Sequence, residues 1–419
     1  MKNSFSQIGL VLLALFCFTA CEKETDELQP QDFSELESDW VRLSLLRGNE
    51  IELLQANNEQ VISTVSTPLP EGGRYYTSNS GRYLIVTDRA NSELRFFDSG
   101  VINHVDHGHQ EEVGWLDITV DAPLPTHVGS NDGHIVVFND GDGSITHINE
   151  AQLELPNYEP TVMNFPTIAH HGAGFRLNNG QFVTTFKNNE EPGGLPQMVK
   201  FLEADGTLID DNGGVEVSGI HGDAANGTYG VFGATDGVIL VDDGGNIDLI
   251  PNPAGLSPER GFWIGTLKGH DNVPNFFGRA RSVGSFLINP VSKEMTPLYQ
   301  GDDIVGDMLN FNGEYYIVHT DDNHVRVYNS TTGVMLADRA VEMVNIPEPV
   351  TGEVLNPVDE MDQMDMADPV LVASDKYLYI LGPSRTDIKV LDIKTLEHVE
   401  TITLDRPVDS IAKNGFTES

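Results

Sequence analysis

One pattern recurs along this chain and limits what it can fold into: a turn built from Asn, Asp, Ser or Gly, followed by a short run of β-forming residues. It occurs as SNSGRYLIVTD from Ser78, SNDGHIVVFND from Ser130, LNNGQFVTTF from Leu177, AANGTYGVFG from Ala224, NFNGEYYIVHTD from Asn310 and ASDKYLYILG from Ala373. A looser copy, VPNFFGRARSVGSFLI, starts at Val273. The turn positions fall at Gly81, Gly133, Gly180, Gly227, Gly278, Gly313 and Lys376, mostly 35 to 52 residues apart, with an insertion lengthening the last interval. Each copy runs on into further strands such as SELRFFDSG and DGVILVDDGG, and helical periodicity is nearly absent. A repeat of this length made of short strands specifies an all-β fold, the β-propeller.

The chain ends supply one more blade. VRLSLLRGNEIELLQANNEQVISTV, from Val41, gives three strands that lack a first, and RPVDSIAKNG, from Arg406, gives a first strand that lacks the rest. The expectation is a single propeller domain over residues 40–419 with seven or eight blades, eight being the best count, closed by pairing N- and C-terminal strands in one blade. Closure of this kind leaves no unpaired sheet edge.

Compartment decides which ligand chemistry is available. The chain opens with Lys2, an apolar run from Ile8 to Phe18 and then Thr19-Ala20-Cys21. The run is 11 residues long, too short to span a bilayer, which needs about 20 residues, and it has the form of a secretory signal. FTAC resembles the lipobox of bacterial lipoproteins. That resemblance implies a signal peptide over residues 1–20, a lipidated Cys21 and an acidic tether over 21–39. The location is then the bacterial cell envelope, periplasm or outer-membrane surface, with contact to the membrane through the lipid anchor only. Cys17 leaves with the signal, so the mature chain has no thiol, and any metal site must use His, Asp, Glu or backbone oxygen. The net charge is −40 for the whole chain, and −41 once residues 1–20, with one Lys and no acid, are removed. A surface so acidic excludes nucleic acid as a partner.

In a propeller the first strand of each blade lines the central channel, so residues at one offset from the turn glycine share a level. Six residues before Gly133, Gly227, Gly313 and Gly415 stand His127, His221, Asp307 and Asp409. His171 lies nine residues before Gly180, and a longer strand or bulge brings it to the same mouth. Zinc suits such a set, being a borderline cation that takes imidazole nitrogen and carboxylate oxygen tetrahedrally. Copper(II) accepts the same ligands.

The stretch from His104 to Glu112, HVDHGHQEE, packs three histidines and three carboxylates into nine residues. Together with PTHV at Pro125, FNDGDG at Phe138, HHG at His170 and IHGDA at Ile220, it resembles the AztD family of periplasmic zinc metallochaperones, β-propellers that serve an ABC-type zinc importer. The resemblance is dispersed over roughly residues 70 to 330, with its motifs in the family's order. It implies that His127, His171 and His221 hold a central zinc and that His104, Asp106, His107 and His109 form an accessory site on a mobile loop. A carboxylate should complete the central site, and Asp307 and Asp409 are the candidates that the register supplies. The partners implied are zinc and an ABC-type zinc importer or its solute-binding protein. Departures from the family pattern are the few loop histidines, the absence of cysteines beside IHGDA, and the lipid anchor, which suits a fixed store as well as a carrier.

The expected function is therefore extracytoplasmic zinc capture and delivery, as metallochaperone or zinc store, without catalysis. A lipoprotein propeller acting as a protein-interaction module is the alternative, followed by a metal-dependent hydrolase. No G-x-S-x-G, H-E-x-x-H or phosphate loop stands in a supporting context. NDGDGS at Asn139 reads as a hairpin turn, lacking the distal Glu of a calcium loop. The acidic insertion from Val358 to Pro369, with Met361, Met364 and Met366, reads as a surface loop.

Overall fold

A computed structural model describes residues 33–104, 107–188, 194–209, 214–343 and 368–418. The signal, Cys21 and most of the tether lie outside the described residues, as do Asp106, Met361, Met364 and Met366. No helix among the described residues is long and apolar enough to cross a membrane.

Eight antiparallel sheets follow one another around a ring, as the repeat predicts. The first strands, in order, are Arg74–Thr77, Pro125–Asn131, Gly174–Arg176, Ile220–Ala225, Thr266–Lys268, Ile304–Leu309 and Val370–Ala373, and they open blades 1 to 7. Blade 8 takes its first strand, Ser410–Gly415, from the C-terminus and the other three, Val41–Arg47, Glu50–Gln55 and Val61–Ser66, from the N-terminus. The join runs from Val41↔Gly415 to Leu46↔Ser410, and the buried Ser44 hydroxyl bonds Asn414 Oδ1 at 2.8 Å. It removes the two free edges that an open ring would present.

The second strands are apolar on both sides because each blade is covered by two neighbours. Tyr83–Asp88 and Tyr315–Thr320 are buried almost throughout. Between blades 3 and 4, Phe175 and Phe232 stack with ring centroids 4.9 Å apart, and between blades 5 and 6, Phe277 and Tyr316 do so at 4.2 Å. The turn at Gly227 has φ +83°, and a Cβ there would lie 2.3 Å from Asn178 Oδ1, so the repeat's glycine is demanded by both backbone and packing.

Two repeats depart from the regular pattern. Blade 3 has three strands among the described residues. In blade 5, Gly278 is not the turn glycine; it lies within the second strand, Phe276–Ala280. The first and second strands are joined instead by a longer loop, 269–275. That loop crosses the channel: Asp271 Oδ2 accepts from the Asn79 amide at 3.2 Å and the Asp132 backbone N–H at 2.8 Å, on blades 1 and 2. On the remaining sides, the Phe311 carbonyl accepts from His270 Nε2 at 2.9 Å, and Asn226 donates to the Val273 carbonyl at 3.0 Å.

Strand direction gives the ring two ends. Each first strand starts at what we call the front face and ends at the back face, where the repeat's turns and the crossing loop lie. The N-terminal helix Phe33–Leu36 is at the back, since Lys376 Nζ donates to the Leu36 carbonyl and Ser374, in the blade 7 turn, donates to Glu37 Oε2.

Candidate metal site at the channel front

His127 and His221 occupy the front ends of the first strands of blades 2 and 4, and each sits in a bulge. The pairing slips between Pro125 and Val128 in one and between Ile220 and Asp223 in the other. An inserted residue kinks the strand and re-aims its side chain; at His221 the adjoining Gly222 takes φ +71°. His171 comes from the segment leading into the short first strand of blade 3. The three rings are nearly equidistant, with centroids 5.1, 5.3 and 5.0 Å apart. One donor nitrogen of each lies within 4.8 Å of the others.

Hydrogen bonds on the far side of two rings select the tautomer. His171 Nδ1 donates to Asp140 Oδ2 at 2.8 Å, and His221 Nδ1 donates to the Gly265 carbonyl at 2.7 Å. Both place the ring's acceptor lone pair on Nε2, and the His171 Nε2 lies 3.4 Å from His127 Nε2. Burial, followed by repulsion from His221 and His171, holds His127 well below the usual imidazole range, so the ring is neutral at pH 7. Asp140 is ionised: burial opposes this, but the His171 and Thr126 hydrogen bonds and the Arg89 guanidinium outweigh it and hold the carboxyl below its usual range. Two residues after His221, burial pushes the Asp223 carboxyl up to about 7.

The carboxylates expected from register are elsewhere. Asp307 shares a cavity with His221 but is held by Arg279 Nε at 3.2 Å and by the Tyr316 hydroxyl at 3.2 Å. Asp409, whose N–H bonds Leu46, lies near Tyr75 and Arg385, apart from the histidines. Equal offset put these side chains at one level but not on one side of the ring: the histidines come from adjacent blades 2, 3 and 4, the aspartates from blades 6 and 8. The carboxylate that does reach the cluster is Asp140, at the turn after the second strand of blade 2. Its signal was positional, because Asn139 pairs with Pro125 and so lies at the level of His127. The cavity beside His221, about 850 Å³, opens on the front face and is lined further by Trp263, Arg260, Lys268 and Arg279.

The second histidine group stands on a hairpin, not on an unstructured loop. Val101–Asn103 pairs with Gly108–Gln110, and His104, His107 and His109 gather with ring centroids 4.6 to 5.5 Å apart. His107 Nε2 and His109 Nε2 are 2.8 Å apart. This hairpin leaves the third strand of blade 1, Glu93–Asp98, at its back end. Most other histidines have ordinary partners, as in His134–His147 at 2.9 Å and His324–Asp338 at 2.9 Å. His319 is fully buried, and neither ring nitrogen has a hydrogen-bond partner among the described residues.

The class defined so far is an eight-bladed β-propeller with a three-histidine cluster at one mouth of its channel. No family model matches the chain. Among solved structures it is similar to apo AztD from Citrobacter koseri, with a TM-score of 0.73 and 18% identity, covering 90% of this chain and 99% of that one. A second structure of Citrobacter koseri AztD gives the same TM-score and identity over 91% and 99%. Dihydro-heme d1 dehydrogenase NirN, in complex with DHE, follows at TM-score 0.52 and 13% identity over 92% and 76%. The fold is thus an AztD-like β-propeller.

Proposed function

We propose that this protein captures zinc outside the cytoplasm and holds it for delivery to an import system, as a metallochaperone or store. The observation that carries the reading is the 3.4 Å separation of His127 Nε2 and His171 Nε2. Tetrahedral zinc with bonds of about 2.0–2.1 Å sets its nitrogen ligands about 3.3–3.4 Å apart. The ligands in this reading are His127, His171 and His221, with Asp140 orienting His171. A His backed by a carboxylate is the usual outer-shell arrangement at zinc. Three protein ligands leave the fourth position exchangeable, which suits a cargo that must be passed on through the front cavity. The likeness to AztD and the motifs shared with its family support zinc over copper.

In the same reading Cys21 carries the lipid. The test is elemental analysis of the purified mature protein. About one zinc per chain should survive desalting, and His127→Ala with His221→Ala should abolish retention while the β-sheet spectrum stays. Full occupancy in that double variant would remove these residues from the site.

A further inference from the structure

The cavity beside His221 is far larger than a zinc ion needs. At about 850 Å³ it falls within the range of small-molecule sites, roughly 300–1,000 Å³. One of its walls is the face that blade 5 turns toward blade 6. Leu267 packs with Val231 and Leu240 of blade 4, so its neighbours Thr266 and Lys268 point the other way, because side chains alternate along a strand. Arg279, opposite Thr266 in the register, shares that face. Arg260, on the loop that leads into the strand, lines the same cavity.

The chain's net charge of −40 repels anions at long range, so unpaired cations inside a cavity mark a local preference. Arg279 is neutralised by Asp307 at 3.2 Å. Lys268 and Arg260 enter no ion pair or hydrogen bond among the described residues. The facing wall has the opposite sign. Asp302 and Asp321 line it from the front loops of blade 6, where the Asp321 N–H bonds the Asp303 carbonyl at 2.9 Å, and neither carboxylate has an ion-pair partner among the described residues. A simple anion would meet these two carboxylates, and a simple cation would meet Lys268 and Arg260. A small molecule carrying both charges satisfies both walls.

We propose that this cavity binds a zwitterionic α-amino acid with a metal-binding side chain, of the chemical class of free histidine. Its carboxylate lies toward Lys268 and Arg260, its ammonium toward Asp302 and Asp321, and its imidazole toward the metal position beside His221. The metal's part in this rests on the function proposed above; the two charged walls rest on geometry alone. The imidazole supplies a neutral nitrogen of the kind zinc accepts, at the fourth position that three protein ligands leave open. Trp263, buried in the cavity wall, gives the ring an apolar surface to rest on.

The test uses the full mature chain loaded with zinc, equilibrium dialysis against radiolabelled L-histidine at pH 7.5, and zinc counted in the same sample. L-Histidine should bind about tenfold more tightly than histamine, which lacks the carboxylate, or imidazolepropionate, which lacks the ammonium, since each loses one charged contact. Lys268→Gln should weaken L-histidine by about tenfold and leave histamine unchanged. Asp302→Asn/Asp321→Asn should weaken L-histidine and leave imidazolepropionate unchanged. L-Histidine binding within about twofold of both analogues would overturn the proposal. So would a Lys268→Gln variant of unchanged melting that prefers L-histidine over histamine as strongly as wild type does. Zinc retained by wild type without any preference for L-histidine would overturn the proposal and leave the proposed function standing. No zinc on wild type would overturn the function itself, and the same dialysis on the metal-free chain would still decide the charged walls, because L-histidine should outbind both analogues there as well.

Discussion

Asp140→Asn isolates what the buried carboxylate does for the channel site. The side chain is 7% exposed, lies 2.8 Å from His171 Nδ1, and is shared with Arg89 Nη2 at 2.9 Å. Asparagine keeps the shape and an acceptor oxygen but removes the charge, so His171 still presents Nε2 while its basicity falls. The Arg89 cation already offsets part of the carboxylate's field, which places the expected loss at the low end for such outer-shell groups: about tenfold in zinc affinity, or ~1.4 kcal/mol. Asp140→Ala also frees the tautomer and should cost more, up to about 100-fold. Equilibrium competition against a chelator of known affinity at pH 7.5 measures both. In a His171→Ala background the Asp140 substitutions should have no further effect. A loss below twofold for Asp140→Asn, or an undiminished loss in the His171→Ala background, would refute the role given to this carboxylate.

Deleting Val408–Ser419 removes the closing strand with the buried side chains of Val408, Ile411 and Phe416; at roughly 1.5–3 kcal/mol for each large apolar side chain the loss is roughly 4.5–9 kcal/mol. A truncated chain that melts within a degree or two of the parent would show that this strand does not close the ring. Burial lowers His147 and His319 to about 4, so below the unfolded value of about 6.5 the unfolded chain binds protons that the folded chain does not. Stability of the zinc-free protein should therefore be full above about pH 6.5 and fall by about 1.4 kcal/mol per pH unit for each of the two as pH drops toward 4; equal urea midpoints at pH 7 and pH 5 would contradict this. Asp271→Ala should loosen the crossing loop without altering zinc retention at the channel front, and hydrogen exchange of residues 269–275 against elemental analysis separates the two effects.

A ring of seven or eight blades, eight being the best count, and the sharing of one blade between the chain ends could be read from the sequence because both depend on local chemistry. A turn glycine with positive φ and a following apolar run are properties of about ten consecutive residues, and they repeat whether or not the ring is seen. The offset from Gly133 and Gly227 likewise puts His127 and His221 at one height, since strand rise is constant. Height is only one coordinate. Which side of the channel a residue occupies depends on its blade's place in the ring, and that is why Asp307, bound by Arg279, and Asp409, near Arg385, stand apart from the histidines that share their offset. Asp140, a turn residue by its sequence, reaches His171 because blades 2 and 3 are neighbours in space. Gly278 carries the repeat's spacing and yet lies inside a strand, displaced by the loop that crosses the channel. The separation of the two histidine groups onto opposite faces likewise comes from the tertiary structure: strand direction and ring closure put long distances between residues that the sequence places about twenty apart.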